Sequence, residues 1–63
     1  MKQRNLRKIL SNNVKHYRFM NNLTQEKLAE KCERSTRYVS DIENEKGNIP
    51  IDTIEKIAIV LNV

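Results

Sequence analysis

Between Thr24 and Asn44 the chain carries two apolar clusters, Leu28, Ala29 and Cys32 and then Val39 and Ile42, with only Glu33, Arg34 and Ser35 at the junction. Side chains three and four apart share a helix face, so each cluster reads as a helix of barely two turns, over about 25–32 and 36–44. Thr24 and Ser35 stand directly before them, and each offers a hydroxyl oxygen to an amide that a helix N-terminus leaves unpaired. Glu26 adds negative charge in the first turn of the earlier helix, where the helix dipole favours it. Two short capped helices joined this tightly must brace each other closely, and Ala29 is the small residue that lets their backbones approach.

The flanking segments follow the same period. Leu6, Leu10, Val14 and Tyr17 recur at spacings of four, four and three, which predicts a first helix over about 5–20. Asn21 and Asn22 suit its end, because asparagine tolerates the left-handed conformation that helix termini need. Gly47 and Asn48 break the chain, Pro50 suits the first turn of a helix, and Ile51, Ile54, Ile57, Ala58 and Leu61 form the stripe of a fourth helix over about 51–61. The β-branched residues there are compatible with a strand, but the three-and-four spacing favours helix. The expectation is an all-α fold, a compact bundle of four short helices in a single domain covering residues 1–63.

Function is narrowed first by size. A chain of 63 residues buries only about 60% of its unfolded surface and leaves no room for a substrate pocket in its core. One cysteine, Cys32, excludes an internal disulfide and a multi-cysteine metal site, and its place on an apolar face marks it as a core residue rather than a nucleophile. His16, the one histidine, falls on the polar side of the first helix without the companions that zinc requires. There is no glycine-rich phosphate loop and no pair of acids beside a base, so neither an enzyme nor a cofactor is expected. No apolar run is long enough for a signal peptide or a bilayer span, which points to the cytoplasm.

The net charge is +4, and Lys2, Arg4, Arg7, Lys8, Lys15 and Arg18 all precede the first acid, Glu26. Such a distribution is the footprint of a protein that meets a phosphate backbone. It is equally that of a solvated helix face, and charge alone does not separate the two.

Arg18, Leu23-Thr24-Gln25, Leu28-Ala29 and Ser35 through Glu43-Asn44, followed by Ile57-Ala58 and Leu61-Asn62-Val63, resemble the lambda-repressor and Cro-like helix-turn-helix family in order and spacing. The resemblance runs from about Leu6 to Val63. It implies a transcription regulator, a repressor in the first instance, that binds double-stranded DNA with its third helix in the major groove. Carried over by position, Thr36, Arg37, Ser40 and Asp41 are implied base readers. Gln25, Ser35, Tyr38, Asn44 and Lys46 are implied contacts to the DNA backbone. Arg37 is suited to guanine, whose O6 and N7 accept the two parallel bonds a guanidinium donates. Asp41 either accepts from a cytosine amino group or orients Arg37 one turn away. Arg18 and Glu43 match positions that pair structurally. Because a fold does not decide function, the alternative is a helical protein-interaction module such as an antitoxin or an adaptor.

The chain departs from the family pattern in five respects. Glu33 stands where a left-handed turn residue is usually Gly, and Arg34 stands where an apolar residue is usual, so that Arg34 either faces DNA phosphates or lays its stem over the core. Glu45 replaces another common Gly, which predicts that the following loop adjusts around Gly47. Ile59 and Val60, with Val63, add apolar residues beyond the core stripe, and Phe19 and Met20 also lie off their own stripe. Family members commonly continue into a fifth helix that contributes to dimerisation, whereas this sequence ends at Val63. The apolar excess predicts a homodimer through helix four, by way of Ile59, Val60 and Val63, against the alternative that these residues pack on helix one.

Overall fold

A computed structural model describes residues 6–63, so the expectations attached to Lys2, Arg4 and Asn5 lie outside the described residues. Four helices follow in order: α1 (Leu6–Met20), α2 (Gln25–Lys31), α3 (Thr36–Glu43) and α4 (Ile51–Leu61). There is no strand among the described residues. The β-branched fourth segment is helical, as its spacing requires, because Ile57 and Leu61 find a core to face.

Both N-caps form as the sequence demands. Thr24 Oγ1 accepts from the Lys27 amide at 3.0 Å and Ser35 Oγ from the Tyr38 amide at 3.1 Å. Asn22, at φ 57°, turns the chain out of α1, and the Leu23 amide donates back to Arg18 O at 3.0 Å. Pro50 directly precedes α4, as the expected bounds imply, and serves as its N-cap (φ −62°, ψ 150°). Its fixed φ suits that place, and its carbonyl accepts from the Thr53 and Ile54 amides.

One core holds the helices together: Val14 of α1, Leu28, Ala29 and Cys32 of α2 and its end, Val39 and Ile42 of α3, and Ile57 and Leu61 of α4. Leu28 is wholly buried, and Leu10, Tyr17, Leu23, Tyr38, Ile49 and Val60 pack around the rim. Helix α2 packs chiefly against α3, α3 against α1, and α1 only lightly against α4. Two polar groups support this order. Ser11 Oγ, buried on α1, donates to the carbonyl of Ile42 at 2.6 Å, and Arg7 Nη2 donates to Asn48 Oδ1 at 2.7 Å, tying the start of α1 to the loop before α4.

Three apolar expectations are corrected. Leu6 belongs to the stripe of α1 by spacing but is exposed, because it lies in the first turn and the Gly47–Ile49 loop stops short of covering it. Ile51 opens α4 before that helix reaches the core and is likewise exposed. Val60 is not part of an outer patch: it packs against the core, which leaves Ile59 and Val63, at 75% and 63% exposure, as the solvent-facing apolar residues at the end of the chain.

Candidate nucleic-acid interface

The α2–α3 unit is the part of the molecule whose outer surface is polar and whose inner surface is fixed. On α3 the inward residues Val39, Ile42 and Glu43 are buried. Thr36 and Arg37 are exposed on the opposite side, with Ser40 and Asp41 half-exposed beside them. The period of the helix thus brings the four expected base readers to one open edge. Arg37 Nε lies 3.7 Å from Asp41 Oδ1 one turn along, and the Arg37 side chain is 88% exposed. A pair so open to water restrains the guanidinium only weakly.

The residues expected to meet a DNA backbone lie at the margins of this edge. Ser35 and Tyr38 flank the start of α3, and Lys46 is exposed just past its end, its own amide donating to Asp41 O at 2.8 Å. Asn44 caps α3, and its Nδ2 donates back to Ser40 O at 2.9 Å and Ser40 Oγ at 3.2 Å. In the unbound chain the Asn44 side chain is therefore turned along its own helix. A polar groove of about 510 Å³ runs between the start of α2 and the start of α3, lined by Thr24, Lys27, Arg34, Ser35 and Thr36 among others.

Behind the edge, Arg18 and Glu43 form a buried bidentate pair, Nε to Oε2 at 2.6 Å and Nη2 to Oε1 at 3.0 Å. Arg18 Nη1 also donates to the carbonyl of Leu23 at 2.9 Å. Gln25 Nε2 donates to Glu43 Oε1 at 2.9 Å. The Arg18–Glu43 pair thus gathers α1, the α1–α2 turn, α2 and α3: Arg18 reaches the turn and Glu43 accepts from α1 and α2. The spacing of residues along the chain carries no signal for the Gln25 bond, since the partners lie in different helices and share no period.

The unusual turn residues are accommodated by partners on α4. Glu33 takes the left-handed conformation at φ 59°, and its Oε1 accepts from Lys56 Nζ at 2.9 Å. The hydrogen bond and charge of Lys56 hold the Glu33 carboxyl below the usual glutamate range. Arg34 leans over the Tyr38 ring, 5.2 Å from its centre, and Nη2 donates to Thr53 Oγ1 at 3.3 Å, so it bridges α3 to α4 along the surface. Glu45 corrects the expectation for the next loop. It is itself left-handed at φ 64°, as Gly47 is at φ 75°, so the backbone keeps the glycine-like turn and the side chain bears the strain. Cys32 is buried in the core, and desolvation pushes its thiol pKa up, away from the reactive thiolate form.

A family model described as helix-turn-helix matches residues 14–63, which takes in every element just described except the first turns of α1. The chain belongs to the helix-turn-helix family. Its relatives include the control protein C.BamHI of Bacillus amyloliquefaciens, 40% identical over 60 residues that make up 94% of this chain and 74% of that protein. The crystal structure of a hypothetical transcription factor from Neisseria superposes with a TM-score of 0.89 at 38% identity, over 92% of this chain and 65% of that one. That of the wild-type restriction-modification controller protein C.Esp1396I gives a TM-score of 0.88 at 33% identity, over 97% and 79%. This helix-turn-helix protein is therefore a member of a family of DNA-binding transcription regulators. No described helix is long and apolar enough to cross a membrane.

Proposed function

We propose that the protein binds duplex DNA sequence-specifically in the cytoplasm and represses transcription, with α3 in the major groove. Thr36, Arg37, Ser40 and Asp41 read base edges, while Gln25, Ser35, Tyr38, Asn44 and Lys46 hold the sugar-phosphate backbone. The observation that carries this reading is the two-sidedness of α3: its inner residues are locked in the core and its outer edge is open and polar. Side chains anchored from behind project onto base edges with little freedom left to lose. The restriction-modification controller protein among the similar structures favours a role in controlling a restriction-modification system.

Two copies acting together fit the remaining apolar surface. Ile59 stays exposed on α4, and Val63, exposed just after α4, lines a groove of about 320 Å³ between α1 and α4 together with Leu10, Val14, Tyr17, Ile57 and Leu61 among others. A homodimer through α4 covers these residues and places two α3 helices on successive turns of the duplex.

The test is duplex binding by fluorescence anisotropy across a salt series. Affinity is expected to fall steeply with salt as phosphate contacts release counterions. Arg37→Ala is expected to relax base preference by about 1–3 kcal/mol, whereas Lys46→Ala weakens binding to all sequences alike and lowers the salt slope by about one. A protein adaptor would be indifferent to both substitutions, and that result would remove the DNA-reading proposal.

A further inference from the structure

Gln25 and Glu43 are joined by a bond that the pairing of Arg18 with Glu43 does not require. The Glu43 carboxylate already receives two bonds from the Arg18 guanidinium, and its Oε1 accepts a further one from Gln25 Nε2 at 2.9 Å. A carboxylate only accepts, so this bond fixes which end of the Gln25 amide faces inward. Gln25 is half-exposed at the start of α2, its amide oxygen takes no bond among the described residues and is not buried, and the second N–H of the same nitrogen diverges from the one that Glu43 accepts.

We propose that Glu43 is a positioning residue for DNA binding: it holds the Gln25 amide so that the second N–H of that group is already directed outward to donate to a phosphate oxygen. The inference rests on the reading of Gln25 as a backbone contact. It adds that the contact is pre-organised, and that the buried ion pair sets it. A glutamine side chain that must be ordered on binding gives up rotamer freedom at that moment, while one already held does not. The relay also links the two helices. Glu43 sits at the end of α3, so the backbone contact at the start of α2 and the base-reading helix are registered through one carboxylate.

The test joins a double-mutant cycle to side-chain relaxation in the full chain. Gln25→Ala is expected to weaken duplex binding about tenfold in the wild-type background, as loss of one charge-assisted hydrogen bond implies. An amide at position 43 is neutral and carries an NH2 donor where one carboxylate oxygen stood, so whichever way it turns a donor of Arg18 or Gln25 meets another donor, and any bond it keeps to Gln25 is no longer charge-assisted. In a Glu43→Gln background, measured at a temperature where circular dichroism shows the chain folded, the same Gln25→Ala change is expected to cost less than about twofold. Nitrogen relaxation of the Gln25 side-chain amide is expected to report a rigid group in the unbound wild type and a mobile one in Glu43→Gln.

Equal losses in both backgrounds would overturn the positioning role while leaving DNA binding standing. Absence of any duplex binding by the wild type would instead overturn the proposed function on which it rests. If Glu43→Gln does not fold, the wild-type amide decides: a rigid Gln25 side chain supports the proposal, and one as mobile as an exposed glutamine overturns it.

Discussion

Removing one member of the Arg18–Glu43 pair strands the other as a buried charge, which typically costs about 3–5 kcal/mol. For a chain this small that is most of the stability available. Arg18→Met is therefore expected to be largely unfolded in urea titrations that leave the wild type native, and a midpoint within error of the wild type would show the pair to be dispensable. Glu33 makes the opposite case, an exposed carboxylate whose worth lies in pH dependence. Its folded pKa is depressed by Lys56, so its stabilising contribution is complete above the ordinary glutamate value of about 4.3 and is lost as the pH falls through the lower folded value. Lys56→Met is expected to flatten that part of the acid-unfolding curve, followed by circular dichroism. At this scale the sequence was legible only in part. Spacing placed Cys32 and Val39 in the core, whereas the pairing of Arg18 with Glu43 came from family resemblance, and the Gln25 bond to Glu43 is set by helix packing that no local pattern encodes.

The helices themselves were far easier to read, because caps and period are local physics. Thr24 and Ser35 mark the starts of α2 and α3, and Asn22 takes the left-handed turn that ends the α1 segment. What the pattern missed is where a neighbour stops. Leu6 and Ile51 continue their stripes past the region that other helices cover, and only tertiary packing reveals this. Ala29, 2% exposed, lies in the core that α2 shares with α3, where a larger side chain has no room. Ala29→Leu is expected to destabilise the chain by about 1–3 kcal/mol through overpacking and to weaken DNA binding further than unfolding alone explains, read from affinity at a temperature where the variant is folded. Glu45→Gly relieves a left-handed non-glycine residue while keeping the bond from its amide to Ile42 O, and is expected to stabilise by about 1 kcal/mol. In a domain of this size that raises Tm by roughly 4–8 °C.

For the molecule as a whole, charge and apolar surface are divided by task. In the proposed reading the polar edge of α3 meets DNA, and the exposed apolar residues Ile59 on α4 and Val63 after it meet a second copy. Ile59→Lys is expected to shift sedimentation toward monomer and to weaken binding to paired half-sites about one helical turn apart, with little change at a single half-site. The central claim is that the outer edge of α3 is the surface that meets DNA, and amide chemical-shift mapping during titration with a duplex tests it most directly. The account expects the largest shifts at Thr36, Arg37, Ser40 and Asp41, with a second group at the start of α2 around Gln25. Shifts confined to α4, with α3 unmoved on saturation, would contradict it.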